Sequence, residues 1–289
     1  GKCRPATRSA ADHRISADGL TDPSHEAIDP DDENAVLRAA RAIRQRHTEE
    51  RNRRQLEQEE RARVGLKGKR GWTLTGDERV ARCQLLIADP PFGITDEPWE
   101  PDDVEGFNRG WGERWASCGA DFIAIFWCQG TLWEARRWFD ESLGGYEFQQ
   151  LLVWHANNEA GPKSRSLLKQ TWYPIFLYRR RDSGRMIITE DRVWDTEHHN
   201  LDCHVAPVPQ TVYSGEDLKQ HPCQKPVSTM RWLINALSEP GELVCSLFCG
   251  VAPCGVATVQ LGRRYRGIEQ SAEYRRIAEG RIATYGKRR

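Results

Sequence analysis

The fold is decided by a stretch that reads Gln84-Leu85-Leu86-Ile87-Ala88-Asp89-Pro90-Pro91-Phe92-Gly93. Its first half is an apolar run with the length of a buried strand. Its second half ends that strand, because proline cannot donate to a sheet and restricts the residue before it. In open α/β sheets, ligands bind outside the carboxyl ends of the strands. The stretch therefore predicts a strand that carries Asp89 into a ligand site.

The turn at Asp89 offers groups suited to a planar ring that bears an amino group. The Asp89 carboxylate and the Pro90 carbonyl are two fixed acceptors for the hydrogens of an exocyclic amine. Phe92 offers a flat face on which a base can stack. The alternative is a simple strand-ending turn with Asp89 facing solvent, and these residues alone leave both interpretations open.

Asp89-Pro90-Pro91-Phe92 after a hydrophobic strand resembles the catalytic motif of S-adenosylmethionine-dependent DNA methyltransferases that modify adenine N6 or cytosine N4. The resemblance implies that Asp89 and the Pro90 carbonyl hold the amino group of a flipped base, while Pro91 stiffens the turn and Phe92 stacks on the base. Aspartate at the head of the motif favours adenine N6 over cytosine N4. Cytosine N4 and adenine in RNA remain alternatives.

A second strand and turn occur far downstream, at Leu243-Val244-Cys245-Ser246-Leu247-Phe248-Cys249-Gly250. Glu269 ends the following strand about 20 residues after Phe248, the offset at which an acid meets the ribose hydroxyls of a nucleotide-like cofactor. On these residues alone a dinucleotide and S-adenosylmethionine both fit. The absence of a strict Gly-x-Gly-x-x-Gly pattern favours a cofactor without a pyrophosphate.

The run from His221-Pro222-Cys223-Gln224-Lys225-Pro226 to Glu269, with Glu273-Tyr274 after it, resembles the cofactor half of the same methyltransferases. In their permuted beta order the catalytic motif comes first, as it does in this chain. The resemblance implies S-adenosylmethionine as the cofactor and Lys225 as the partner of its methionine carboxylate, although a solvated lysine is the simpler alternative. The implied cofactor residues are Phe248, Gly250, Ala252, Glu269, Ser246, Lys225 and His221.

The cofactor turn departs from the family pattern, which reads Asp-Pro-Phe-x-Gly-Ser-Gly-Thr-Thr. This chain has Ser246-Leu247-Phe248-Cys249-Gly250-Val251-Ala252-Pro253-Cys254, so the acid, one glycine and both threonines are absent. If residue 252 needs a positive φ, alanine there costs about 1 kcal/mol. A homologue that binds nucleic acid but is impaired in cofactor binding and inactive is therefore an alternative.

Beyond Gly71 short apolar runs alternate with helical stretches, which predicts an α/β protein. The resemblance implies a Rossmann-like methyltransferase fold in residues 71–289, with a mixed, mostly parallel sheet and helices on both faces. It divides this domain into a catalytic half (71–181), a target-recognition insert (182–219) and a cofactor half (220–289). Candidate strands span 84–88, 122–127, 151–155, 173–178, 243–247 and 265–268. Candidate helices span 131–142, 228–237, 256–261 and 272–285.

Residues 1–70 differ sharply from the rest of the chain. They contain none of the 11 Trp, 7 Tyr and 8 Phe residues, and they are rich in both acids and bases. Such a segment buries too little apolar surface to offset its conformational entropy, so we expect a flexible, charged helical arm. A basic helix on nucleic acid is the alternative. The arm is also similar to segments that precede methyltransferase domains in fusions with a ParB-like domain.

The charge balance restricts the partners. The 42 Lys+Arg residues equal the 42 Asp+Glu residues, which excludes a uniformly basic coat and gives no attraction to anionic membranes. The sequence contains no apolar run near the roughly 20 residues that span a membrane, so we expect an intracellular, nucleoid-associated protein. The expected partner is double-stranded DNA, with RNA less favoured. Arg179, Arg180 and Arg181 are expected to contact phosphates, and Asn200 or Gln210 to read base edges.

Metal chemistry is not expected. The nine cysteines are scattered and contain no Cys-x-x-Cys pair, which favours reduced thiols. The segment His198-His199-Asn200-Leu201-Asp202-Cys203-His204 matches no common zinc spacing. The sequence leaves the oligomeric state open.

Overall fold

The computed structural model describes residues 71–77, 79, 82–158, 169–185 and 202–286, with scattered positions between 34 and 57. Residue contacts divide the chain into a unit of residues 1–55 and a unit of residues 56–289. The described positions between 34 and 57 are helical. Gln45 bonds Glu49 at 3.0 Å and Arg54 bonds Glu50 at 2.6 Å, each pair four residues apart and exposed. These pairs are typical of a solvent-exposed helix.

The described strands form one mixed sheet in the larger unit. They are β1 (Trp72–Thr75), β2 (Leu85–Ala88), β3 (Phe122–Phe126), β4 (Tyr146–His155), β5 (Trp172–Arg180), β6 (Cys203–Val205), β7 (Leu243–Leu247) and β8 (Arg264–Ile268). Their order across the sheet is β1-β8-β7-β2-β3-β5-β4-β6. The first five strands in this spatial order are mutually parallel: β1, β8, β7, β2 and β3. Strand β5 is antiparallel to β3 and β4, and β6 is parallel to β4. The mixed, mostly parallel sheet is confirmed.

Helices cover both faces of this sheet. They are α1 (Val104–Ala116), α2 (Leu132–Ser142), α3 (Val227–Leu237), α4 (Pro253–Gln260) and α5 (Ala272–Tyr285), with a 3-10 turn at Gly215–Asp217. One apolar cluster joins α3, α4 and α5 to one face, and another joins α1 and α2 to the opposite face. Strands β7 and β8 come last in the chain yet lie beside β2 and β1, as the permuted order requires.

All six predicted strands are present, but α1, β1 and β6 were not predicted. The glycines at 106, 110 and 112 lower the helix propensity of α1. The helix forms because Trp111 and Trp115 bury their rings in the cluster beneath the sheet. At Gly112 an added Cβ would lie 2.1 Å from a serine hydroxyl oxygen of α2, so the close approach of the two helices requires glycine. Packing across the chain decides this element.

The five parallel strands end at the same edge of the sheet, which we call the carboxyl edge. Asp89 follows β2 there, the turn that begins at Phe248 follows β7, and Glu269 follows β8. Within the described residues, no helix is both long enough and apolar enough to cross a membrane. The eight cysteines of the described part are free thiols.

Candidate active site

One cleft at the carboxyl edge joins the two sequence motifs. Strands β2 and β7 pair in parallel with Ala88 opposite Leu247, so the turns that follow them lie side by side. The empty space of the cleft, with the part that is open to solvent, is about 400 Å³. The predicted site residues among those that line it are Asp89, His221, Lys225, Ser246, Phe248 and Gly250. Tertiary structure thus brings residues of both motifs into one cleft.

Asp89 forms an ion pair at the centre of this cleft. Its Oδ2 accepts a hydrogen bond of 2.7 Å from Lys225 Nζ, and the side chains of Lys225 and Asp89 are 8% and 21% exposed. Its Oδ1 is buried and has no hydrogen-bond partner among the described residues. Burial raises the pKa of the Asp89 carboxyl, and the ammonium of Lys225 opposes that rise. The carboxylate therefore has one oxygen engaged and one that lacks a donor.

Lys225 is not the solvated lysine that we considered as an alternative. Besides its bond to Asp89, its Nζ donates to the Cys223 carbonyl at 3.4 Å. The same nitrogen lies 5.5 Å and 5.7 Å from the ring centres of Phe92 and Phe126. The predicted contact with a methionine carboxylate stays a prediction, since the partner in this structure is Asp89.

Side chains from α1 and β3 support the turn after Asp89. The Asn108 side chain is fully buried and donates from Nδ2 to the Pro91 carbonyl at 3.3 Å and to the Val104 carbonyl at 2.9 Å. The ring centre of Phe92 lies 5.1 Å from that of Trp127, which is itself buried. Asn108 was not identified from the sequence, because it carries no local motif.

A carboxylate fixes the loop that follows Phe92. Glu100 accepts from the Gly93 amide at 2.6 Å and from the Thr95 hydroxyl at 2.7 Å. Gly93 has a φ of 72°, and an added Cβ would lie 2.4 Å from the Val104 side chain, so the turn requires glycine there. The direction in which the loop leaves Asp89 is therefore set by specific contacts.

The cofactor turn keeps a left-handed backbone although Ala252 replaces one of the family's two glycines. Phe248 has a φ of 56°, Gly250 of 52° and Ala252 of 53°. The condition considered from the sequence, a positive φ at residue 252, is thus met. The Phe248 ring lies 5.1 Å from Trp111 and 5.9 Å from Phe107, centre to centre, and this packing holds the strained residue in place.

Glu269 connects the cofactor turn to the start of α5. Its Oε2 accepts from the Gly250 amide at 2.8 Å, and its Oε1 accepts from the Ser271 amide at 2.9 Å. A carboxylate has about four acceptor positions, so each oxygen can accept a further hydrogen bond. The predicted contact with ribose hydroxyls is compatible with this position and stays a prediction.

His221 belongs to a group of aromatic rings beside Gly250. Its ring centre lies 5.2 Å from Trp99 in a stacked arrangement and 4.5 Å from Tyr274. Burial, followed by the charges of Lys225 and Lys219, lowers the pKa of His221 to about 4. The imidazole is therefore neutral near pH 7. Trp99 was missed from the sequence because it follows the catalytic motif in an irregular, acidic loop.

The structure does not bring Arg179, Arg180 and Arg181 to the cleft. Strand β5 is antiparallel to β3, and Arg179 pairs with Phe122 at the start of β3. The arginines therefore lie at the opposite edge of the sheet, about 15 Å from the carboxyl edge. Their partners are on the protein itself: the carboxylates of Glu147 and Asp121 and the carbonyl of Tyr146. The expected phosphate contact next to a base at Asp89 thus has no support in this geometry.

The predicted insert is described only in part. Residues 186–201, with His198, His199 and Asn200, lie outside the described residues. Gln210 is exposed and accepts through its carbonyl from the Tyr213 amide at 3.1 Å. Where the structure is described, it contains no group of three side chains suited to a metal ion.

Comparisons with known proteins agree with this architecture. A DNA methylase family model matches residues 83–280. The DNA adenine methyltransferase YhdJ of Escherichia coli K12 is 31% identical over 85 residues, which are 29% of this chain and 29% of YhdJ. The chain spans about a third or less of the length of the curated relatives that it first matches.

Solved structures of similar fold include two methyltransferases. The complex of M1.HpyAVI with S-adenosylmethionine has a TM-score of 0.57 at 18% identity, over 73% of this chain and 98% of that chain. The cytosine-N4-specific PvuII DNA methyltransferase has a TM-score of 0.56 at 13% identity, over 73% and 86% of the two chains. At these identities the similarity establishes the Rossmann-like methyltransferase fold.

Proposed function

This chain belongs to the DNA methylase family whose members transfer a methyl group from S-adenosylmethionine to an exocyclic amino group, and we propose that its own acceptor is adenine N6 in double-stranded DNA. The observation that carries the proposal is the single cleft in which Asp89 meets the turn after β7. Aspartate at the head of the catalytic motif favours adenine, which is also the base named for YhdJ.

The residues of the cleft fit the cofactor. Phe248 and Gly250 shape one wall, and Glu269 has acceptor positions left for ribose hydroxyls. When bound, S-adenosylmethionine supplies a methyl carbon that is electrophilic because it is attached to a sulfonium. Lys225 is the cation that would bind its carboxylate.

Asp89 and Pro90 would prepare the amino group for attack. The lone pair of an aromatic amine is delocalised into the ring, which makes the nitrogen a weak nucleophile. Hydrogen bonds from the amine to the Asp89 carboxylate and the Pro90 carbonyl draw the nitrogen toward tetrahedral geometry and localise the lone pair on it. The buried, unpartnered Oδ1 of Asp89 supports this role, because a donor there removes an unfavourable buried acceptor.

The remaining side chains would position the base. Phe92 presents an aromatic ring for stacking, and Trp127 and Asn108 hold that ring and the adjacent turn in place. Correct alignment of the reacting atoms can contribute several kcal/mol to the lowering of the barrier. The methylated amine is strongly acidic at first, so it loses its proton to Asp89 or to water without a separate strong base.

One observation favours a second candidate, an inactive homologue that binds nucleic acid. The cofactor turn keeps its left-handed backbone, but Ser246 stands where the family has an acid and Cys254 where it has a threonine. Loss of these polar groups removes cofactor contacts. Calorimetry with S-adenosylmethionine separates the two candidates, since the inactive homologue gives no binding.

The proposed function is tested by transfer of a tritiated methyl group to mixed duplex DNA, followed by mass spectrometry of the nucleosides. We expect N6-methyladenine, with transfer at least about 100-fold slower in Asp89→Ala. Asp96→Ala is the matched control, because Asp96 is an exposed acid of the same loop. Full activity of Asp89→Ala would exclude the mechanism. Detection of N4-methylcytosine as the product would show that cytosine, and not adenine, is the acceptor. A parallel assay on RNA decides between the nucleic acids.

A further inference from the structure

Asp89 is engaged by a cation of the protein itself. Lys225 Nζ lies 2.7 Å from Asp89 Oδ2, and 136 residues separate the two along the chain. The Lys225 side chain is only 8% exposed, so water competes little with this ion pair. Asp89 Oδ1 is left for an amino group, but while the pair persists the ammonium at Oδ2 draws negative charge from the carboxylate and makes Oδ1 a weaker acceptor.

The same ammonium is what an anionic ligand group in the cleft needs. Among the described residues that line the cleft, Lys225 is the one cationic side chain and Asp89 the one carboxylate. His221 also lines the cleft but is neutral near pH 7, since its pKa is lowered to about 4. The family's acid at the start of the turn is Ser246 here, so no second carboxylate of the cleft competes for Lys225. Asp89 and an entering carboxylate must therefore compete for one cation.

We propose that Lys225 is a positioning residue that keeps Asp89 in an ion pair until the carboxylate of the cofactor enters the cleft, draws Lys225 away and frees Asp89 to hold the amino group. The inference rests on the proposed function and extends it to the order of binding. Exchange of one carboxylate for another at the same ammonium keeps Lys225 paired, and the released Asp89 carboxylate is then available to accept from the amino group. The cofactor then binds before the base.

The test is isothermal calorimetry with two probes on the full chain. S-adenosylhomocysteine carries the amino acid carboxylate without a sulfonium charge, and 5′-methylthioadenosine lacks the amino acid altogether. Asp89→Asn removes the competing carboxylate but keeps the size of the side chain. We expect it to tighten binding of S-adenosylhomocysteine about tenfold, or about 1.4 kcal/mol, and to leave the affinity for methylthioadenosine within about twofold.

A double-mutant cycle assigns the effect to Lys225. In the Lys225→Met background, Asp89→Asn is expected to leave the affinity for S-adenosylhomocysteine unchanged, because no cation remains to be released. Unfolding curves establish that each variant is folded. If Lys225→Met does not fold, the comparison of the two probes on Asp89→Asn alone still decides.

The outcomes separate this inference from the function on which it rests. If neither the parent protein nor Asp89→Asn binds S-adenosylhomocysteine, the proposed cofactor is wrong and the inference falls with it. If the parent protein binds the probe and Asp89→Asn binds it no more tightly, Lys225 stays on Asp89 and only the inference is overturned. An equal gain for methylthioadenosine would also overturn it, since that probe has no carboxylate to bind Lys225.

Discussion

The turn at Asp89 and the turn at Phe248 follow neighbouring parallel strands, yet they are held in different ways. Two prolines restrict the first turn, and the side chain of Asn108 bonds its backbone from behind. The second turn contains two non-glycine residues in the left-handed region, Phe248 and Ala252. Aromatic packing of Phe248 and the bond from the Gly250 amide to Glu269 hold that turn.

The difference shows that a turn can keep its backbone conformation after the polar side chains of its family pattern have been replaced. The Asp89 turn retains the full motif of acid, prolines and aromatic ring. The turn after β7 retains the path but has lost the acid and the hydroxyl groups of the family pattern. Packing contacts suffice to maintain a turn, whereas hydrogen bonds to a ligand require particular polar atoms. Substitutions in and around the two turns test whether packing and ligand chemistry are separate in this way.

Substitution of one polar side chain at each turn compares the chemical roles of Asp89 and of Ser246, which lies at the end of β7. We expect Asp89→Asn to slow methyl transfer by roughly 100- to 10,000-fold, because the amide lacks the charge that localises the lone pair of the amine. Ser246→Ala is expected to slow transfer less than about tenfold, since the hydroxyl is uncharged. Initial rates at saturating S-adenosylmethionine measure both. Equal losses would show that the two turns share the chemistry.

Removal of Asn108 tests how the Asp89 turn is held. Asn108→Ala leaves the Pro91 carbonyl without its buried donor, and we expect the free energy of unfolding to fall by about 2 kcal/mol. The matched control is Gly110→Ala in the same helix, where an added Cβ meets open space. This control should raise stability by up to about 1 kcal/mol. Urea unfolding measures both, and an unchanged Asn108→Ala would mean that the prolines suffice.

The pH dependence of stability tests the packing of His221 beside the turn at Phe248. The pKa of His221 is about 4 in the folded protein, below its ordinary value of 6.5. The unfolded chain therefore binds the proton first, and stability is lost as the pH falls from about 6.5 toward 4. Allowing for partial solvent screening, we expect this loss to be on the order of 1–2 kcal/mol.

His221→Phe should remove this part of the pH dependence while it keeps an aromatic ring between Trp99 and Tyr274. Urea unfolding of both proteins at several pH values gives the difference that belongs to His221. If the two curves stay parallel between pH 6.5 and 4, the histidine does not titrate differently in the folded state. The subtraction cancels the contributions of other groups that titrate in the same range.

Relief of backbone strain should give the smallest effect. Ala252 has a φ of 53°, so Ala252→Gly is expected to stabilise the protein by up to about 1 kcal/mol. Ala257→Gly in α4 is the control and should cost about 1 kcal/mol, because it lies within a helix. Thermal unfolding measures both. A loss for Ala252→Gly would show that the alanine methyl contributes more through packing than its strain costs.

Local pattern was sufficient for the elements that depend on neighbouring residues. The apolar runs at β2 and β7 predicted buried strands, and the prolines after Asp89 predicted where β2 ends. The order of the two motifs predicted the permuted arrangement of the sheet, which the neighbouring positions of β2 and β7 confirm. The sequence raised a positive φ at residue 252 only as a condition, and the structure shows that the condition holds.

Local pattern failed where distant residues decide the outcome. The glycines of α1 predict no helix, and the helix forms only because Trp111 and Trp115 gain burial against the sheet. Short strands such as β6 have too few residues to show alternation, and pairing with β4 stabilises them. The residues of β5 likewise do not predict that this strand runs antiparallel to β3. That direction places Arg179–Arg181 at the edge far from Asp89.

The fold class and the order of the motifs followed from the sequence alone, which also predicted the residues that would bind an amino group and a nucleoside. Tertiary structure alone decided which of these residues touch. Lys225 and Asp89 lie 136 residues apart, and no local periodicity reports their 2.7 Å contact. The physical reason is that propensity and hydrophobic period act over a few residues, whereas an ion pair depends on where the sheet brings two distant loops. The sequence predicted that Lys225 pairs with the carboxylate of the cofactor, whereas in the structure its partner is Asp89.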